Sequence, residues 1–123
     1  MRRWVIVLGL ALVFGCAACT SRTEANAGGS AALGRGHEVY AEKCSSCQGI
    51  DLRGTERGPS HLSIVYEPDH HSDESFRRAI LDGVPQHHWT FGAMPAIGGV
   101  RDADVTAVIA YVRAVQEREG FDS

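Results

Sequence analysis

The segment GRGHEVYAEKCSSCQG, Gly34 to Gly49, joins a stretch of helical spacing to a closely spaced pair of cysteines. The residues that recur at three- and four-residue steps are Leu33, Gly36, Tyr40 and Cys44. This spacing predicts one face of a first helix that leads into the cysteine pair. Glycine at position 36 carries no Cβ atom, so another helix can approach this face closely.

The cysteine pair, Cys44 and Cys47, has a spacing used in thiol–disulfide exchange, in zinc binding and in the attachment of a c-type haem. In haem attachment a histidine follows the second cysteine directly, whereas this chain has Gln48 at that position. A neutral carboxamide offers iron only a weak oxygen donor. The pair alone therefore leaves its chemistry open.

Residues 1–19 have the pattern of an export signal, with two arginines before an uncharged apolar run over residues 4–14. Small residues and cysteines follow, as in bacterial lipoproteins, where a cysteine is diacylated and becomes the new N-terminus. Cys16 and Cys19 both fit the position of the lipid-bearing cysteine. We predict an exported protein, lipid-anchored at the outer face of the cytoplasmic membrane or in the periplasm, with cleavage without a lipid as the alternative.

Residues 20–32 are rich in Ala, Gly, Ser and Thr and poor in large apolar side chains, which predicts a flexible tether. The whole chain has 12 basic and 15 acidic residues. Without the two arginines of the signal the basic residues fall to 10, and the net charge becomes −5. Nucleic-acid-binding proteins carry basic surfaces, so this negative net charge disfavours a nucleic-acid partner.

Residues 33–121 are predicted to form one all-α domain, because their apolar spacing is helical and no alternating run is long enough for a sheet. A second helix should begin at Ser72 or Asp73, both good N-caps, and end at Gly83. A third should be capped by Asp102. Its apolar face consists of Val105, Val108, Ile109, Val112 and Val115.

The first and last of these three main helices are expected to cross near Gly36 and Tyr111, because both carry apolar faces that need a partner. Two long segments, 49–71 and 84–101, separate the helices. Long irregular loops in a small domain usually surround a functional site. We therefore predict long loops around a cofactor pocket.

These elements together resemble a small bacterial cytochrome c of the monohaem class I type, over about residues 33 to 119. The matching motifs, in the family's order, are GRGHEVYAEKC, CSSC, GPSHL, SDESFRRAILDGVP, GAMPAI and RDADVTAVIAYVRAVQ. The resemblance implies haem c bound covalently through Cys44 and Cys47, with Met94 as an iron ligand. In the family, the iron ligand opposite the methionine is a histidine, and a proline carbonyl accepts a hydrogen bond from its ring. The resemblance implies this orienting role for the carbonyl of Pro59. A core-filling role is the alternative for the methionine.

Gln48 departs from the family pattern, since it replaces the histidine that binds the iron, and it puts both this ligand and the covalent attachment of haem in doubt. His61, two residues beyond Pro59, is a candidate replacement, although an ordinary surface loop histidine is the favoured interpretation. A single substitution in an otherwise functional cytochrome would also explain the glutamine.

The leading interpretation is an exported electron carrier, not an enzyme, that serves redox partner proteins of a membrane respiratory chain. A thiol–disulfide oxidoreductase with Cys44 as nucleophile is disfavoured, because the βαβ pattern of such proteins is missing.

The alternative function is a degenerate domain without haem that binds copper or zinc through Cys44, Cys47, Met94 and histidines. The histidine pairs that flank the second helix are His70 with His71 and His87 with His88. A polar loop role is favoured for them, because adjacent side chains of an extended chain point in opposite directions.

Overall fold

The computed structural model describes residues 20–121, and in that range the chain consists of helices joined by loops. Its helices are α1 (Thr20–Lys43), α2 (Ser45–Gln48), a 3₁₀ helix (Ile64–Tyr66), α3 (Asp73–Asp82) and α4 (Asp102–Arg118). The described residues form no strand, and their only β pairing is two isolated bridges. The predicted all-α domain with three main helices and long loops is confirmed, and α2 is an additional turn of four residues.

The two long helices, α1 and α4, cross at Gly36. A Cβ atom at this position would lie 2.1 Å from the carbonyl oxygen of Ala107 and 2.7 Å from the Cβ of Tyr111. Only glycine permits backbones to approach so closely. The predicted crossing near Gly36 and Tyr111 is confirmed.

The hydrophobic core lies between α1, α3 and α4. Its buried apolar side chains are Val39, Tyr40, Leu52, Phe76, Ile80, Val105, Val108, Ile109, Val112 and Val115. The apolar face predicted for the last helix is buried in full. Each large apolar side chain that leaves water in this way contributes about 1.5–3 kcal/mol to folding.

The ends of α3 agree with its sequence signals. The Ser72 side chain accepts a hydrogen bond from the backbone N–H of Ser75, which satisfies a free donor of the first turn. Gly83 follows the last turn with a φ of 77°, a conformation that favours glycine.

The N-terminus of α4 differs from the prediction, since its N-cap is Arg101 and not Asp102. The carboxylate of Asp104 accepts hydrogen bonds from the Arg101 guanidinium at 2.9 and 3.0 Å, and from Arg35 of α1 at 2.8 Å. Asp104 is only 4% exposed. The first turn of α4 is therefore organised around a buried acid three residues into the helix, and a capping side chain before it is not needed.

The segment predicted as a flexible tether, residues 20–32, is helical in the structure, because α1 begins at Thr20. It contains no proline, and its alanines favour a helix. Residues 28–32 are exposed, and nothing lies within 4 Å of a Cβ built at Gly28 or Gly29. The segment makes no core contact there, and its role as a spacer stays a prediction.

The predicted export and lipoprotein signal, residues 1–19, lies outside the described residues. Among the helices described from residue 20 to residue 121, none has both the length and the apolar character needed to cross a membrane.

Candidate functional site

A cavity of about 460 Å³ opens beside the end of α1, α3 and the two long loops. The predicted site residues that line it are Cys44, Cys47, Gln48, Pro59, His61 and Met94. Its volume lies within the range of cofactor and ligand sites, about 300–1,000 Å³. The structure thus brings all the predicted site residues to one place.

The short helix α2 and the turn that follows it hold the cysteines at the cavity. The backbone N–H of Gln48 donates to the carbonyl of Cys44 at 3.0 Å. The carbonyl of Cys47 accepts a hydrogen bond from Thr55 Oγ1 at 2.6 Å. A Cβ at Gly58 would lie 2.8 Å from that same carbonyl. Glycine therefore allows the turn to pack directly against the cysteine pair.

The two thiols, Cys44 and Cys47, are half-buried and not joined in a disulfide within the described residues. Burial, with a smaller effect from Cys47, raises the pKa of the Cys44 thiol to about 11. Thiol–disulfide exchange needs a thiolate and hence a lowered pKa. The environment of Cys44 has the opposite effect, which disfavours a role as a nucleophile.

The side chain of Gln48 carries an unsatisfied acceptor at this site. Its Oε1 atom is buried and has no hydrogen-bond partner among the described residues. A buried polar atom without a partner costs about 1–3 kcal/mol. The position that departs from the expected haem motif is therefore also the position that lacks a partner.

His61 is half-buried in the wall of the cavity, so the favoured expectation of an ordinary surface histidine is wrong. Its ring packs edge-on against the rings of Tyr40, Tyr66 and Phe76, with centroids 5.9, 5.2 and 5.5 Å away. Its Nδ1 lies 3.5 Å from the hydroxyl of Tyr40. Burial, and then the charge of Arg113, lowers the pKa of His61 to about 4. The imidazole is therefore neutral near pH 7, the form that can bind a metal.

Two side chains of α4, Arg113 and Gln116, hold the loop that carries His61. The Gln116 amide donates to the carbonyl of His61 at 2.7 Å and to that of Tyr66 at 3.1 Å. Arg113 donates to the same Tyr66 carbonyl at 2.8 Å and to the carbonyl of His71. Sequence reasoning missed both residues, because they lie among the ordinary polar positions of a helix.

Met94 is held at the cavity by the end of α3. Its backbone exchanges two hydrogen bonds with Val84, at 2.8 and 2.9 Å. A Cβ at Gly83 would lie 2.7 Å from the Met94 carbonyl oxygen. A further bond joins the Ile97 N–H to the Ile80 carbonyl at 2.8 Å. The methionine segment therefore pairs back onto the helix before it.

The two histidine pairs meet at the rim of the cavity. The Nε2 atoms of His70 and His88 are 3.3 Å apart, and one ring nitrogen from each of these and His71 lies within 4.8 Å of the others. The expectation that adjacent histidines point apart is wrong. The N–H groups of His70 and His71 both donate to the Glu67 carbonyl, so this pair lies in a turn and not in an extended chain.

The family model described as Cytochrome c matches residues 33–116. Neither the curated proteins nor the solved structures give a match. The matched range runs from the second half of α1 into the last turns of α4. It includes both cysteines, the glutamine, the proline, the histidine and the methionine that were predicted as the site.

Proposed function

The chain belongs to the cytochrome c family, and on that premise we propose that it is an exported electron carrier with an oxygen donor in place of the proximal histidine. The family predicted from the sequence is confirmed. Membership implies a haem electron-transfer protein with covalently bound haem c. The ligand set, the export, the anchor and the partners are the proposal.

The residues at the cavity fit a haem. Apolar residues from several elements line it, and both cysteines and the methionine are among the lining residues. Cys44 and Cys47 would hold the group by thioether bonds, and Met94 would supply a sulfur ligand. When bound, the haem supplies reversible one-electron chemistry at its iron.

The observation that carries the ligand proposal is the unpaired Oε1 of Gln48. This atom belongs to the residue directly after Cys47, where the family has its proximal ligand. Binding to the iron would relieve its missing interaction, whereas His61 is enclosed by aromatic rings and contacts the Tyr40 hydroxyl. A carboxamide oxygen is a harder and weaker donor than imidazole. We therefore expect a lower potential than a His–Met iron has, and easier binding of external ligands.

The alternative of copper or zinc at the cysteine pair has no geometric support. Among residues 20–121, no group of three His, Cys, Asp or Glu ligands includes Cys44 or Cys47. We therefore propose an electron carrier and not a metal carrier or a thiol enzyme.

The ligand proposal is tested by expressing the unaltered chain, Gln48→His, Gln48→Ala and His61→Ala together with haem-attachment machinery. Haem stain on denaturing gels measures covalent haem, and redox titration measures the midpoint potential. We expect Gln48→His to raise both the amount of covalent haem and the midpoint potential. The visible absorption spectrum should change in Gln48→Ala and stay unchanged in His61→Ala. A spectrum that changes in His61→Ala but not in Gln48→Ala would make His61 the ligand. Protein without haem but with stoichiometric copper or zinc would overturn the electron-carrier proposal.

The location proposal rests on the cysteines that follow the export pattern. A lipid at Cys16 or Cys19 would keep the electron carrier beside respiratory partner proteins at the outer face of the membrane. We expect the Cys16→Ser, Cys19→Ser double variant to leave the membrane fraction, and the two single variants to identify the acceptor. Unchanged partition of the double variant would refute the anchor.

A further inference from the structure

We propose that His70, His71 and His88 form a second metal site, separate from the haem ligands, that binds a tetrahedral divalent ion of the zinc type. The site uses none of the cysteines or the methionine at the cavity. It therefore goes beyond the electron-carrier proposal and does not depend on it.

The spacing of two of the three nitrogens is that of one edge of a tetrahedral site. Zinc binds imidazole nitrogen at about 2.0–2.1 Å, which places two nitrogens of one tetrahedron about 3.3–3.4 Å apart. The Nε2 atoms of His70 and His88 are 3.3 Å apart. Adjacent ligands of a square-planar copper site would be closer, at about 2.8–2.9 Å. One edge of a tetrahedron is therefore already formed.

The third nitrogen needs only a small movement. The ligand atoms of the three histidines all lie within 4.8 Å of one another. Closing a separation of 4.8 Å to the tetrahedral edge takes about 1.5 Å. The three nitrogens leave a fourth position for water, as in the open zinc sites of proteins.

His71 has the outer partner that metal-binding histidines usually have. Its Nδ1 is hydrogen-bonded to the backbone carbonyl of Val65, which leaves Nε2 with the free lone pair. Its own carbonyl accepts a hydrogen bond from Arg113, and Arg113 is paired with Asp73 at 2.8 Å. The ring is therefore fixed in one tautomer on a segment tied to α4.

The remaining histidine of the two pairs, His87, supports the cluster from outside. Its ring centroid is 4.3 Å from that of His88, and its Nδ1 lies 2.9 Å from the Pro85 carbonyl. The two exposed ligands, His70 and His88, can be replaced without opening the core. The proposed site can thus be removed without unfolding the domain.

The test starts from the purified holoprotein, treated with a chelator and titrated with Zn²⁺ in competition with a chromophoric indicator. We expect one zinc per chain, and at least a tenfold weaker affinity in His70→Ala and His88→Ala. His37→Ala is the matched control, because His37 is an exposed histidine on α1 outside the cluster, and its affinity should not change. Retained binding in the His70→Ala, His88→Ala double variant would overturn the proposal.

The ligand type is tested by zinc K-edge spectroscopy on the loaded protein. We expect only nitrogen or oxygen neighbours at about 2.0–2.1 Å. A sulfur neighbour at about 2.3 Å would move the ion to the cysteines and overturn the site. In the zinc titration, the half-buried His71 is replaced with glutamine and not with alanine, and far-UV circular dichroism confirms that this variant is folded.

Discussion

Replacing Gly36 with alanine should destabilise the domain by forcing α1 and α4 apart. The added Cβ would lie 2.1 Å from a carbonyl oxygen of the α4 backbone. Ordinary contact begins near 3.4 Å, so the helices would have to separate by about 1.3 Å. Overpacking costs about 1–3 kcal/mol, and the upper value applies because backbone cannot rotate away. Alanine has a higher helix propensity than glycine, which offsets this cost by about 1 kcal/mol. The net loss is about 2 kcal/mol, or about 8–16 °C in the melting temperature of a domain of this size.

The matched control for this prediction is Gly34→Ala, two residues earlier on the same helix. Nothing lies within 4 Å of a Cβ at Gly34, so the variant gains helix propensity without a clash. Its free energy of unfolding should stay level or rise by up to about 1 kcal/mol. Urea denaturation followed by far-UV circular dichroism, at equal haem content, measures both variants. Equal stability of Gly36→Ala and Gly34→Ala would refute the reasoning about the crossing.

Two further variants test the capping acid and the methionine segment. Hydrogen bonds from Arg101 and a second arginine hold the pKa of Asp104 well below its usual range. Its contribution is therefore complete above the unfolded-state pKa of about 3.9 and is lost as the pH falls through the lower folded-state pKa. Urea denaturation should show Asp104→Asn less stable than the unaltered chain by a constant amount from pH 7 to pH 5, with the gap closing at lower pH; a gap that widens there would contradict this. Gly83→Ala should cost about 1–3 kcal/mol in the same assay, because φ is 77° and the new Cβ would lie 2.7 Å from the Met94 carbonyl. Gly98→Ala, where nothing lies within 4 Å, is its control, and equal stability of the two would contradict the strain.

The parts of the fold that the sequence predicted well are those set by local signals. Ser72 and Gly83 bound α3 because a capping hydroxyl and a left-handed glycine act within one turn. The crossing at Gly36 followed from a small residue on an apolar face. The start of α4 was missed by one residue, because Asp104 is stabilised by an arginine of α1, and that contact spans 69 residues.

The site was predicted where it follows a motif and missed where it depends on distant contacts. The cysteines and Met94 lie in recognisable segments, and they line one cavity as expected. His61 is enclosed because the Gln116 amide, 55 residues away, holds its carbonyl. The histidine cluster forms because two loops on either side of α3 meet, and periodicity carries no information about such a meeting.

Arg113 and Gln116 join the two proposed sites through one turn of α4. The Gln116 amide donates a hydrogen bond to the carbonyl of His61 at the cavity wall. The Arg113 guanidinium donates to the carbonyl of His71 in the histidine cluster. Any energetic coupling that passes through these contacts obeys thermodynamic reciprocity. If zinc changes the reduction potential of the iron, oxidation of the iron must change the zinc affinity by the corresponding factor. A redox titration with and without zinc and a zinc titration of each oxidation state would then measure the same coupling free energy.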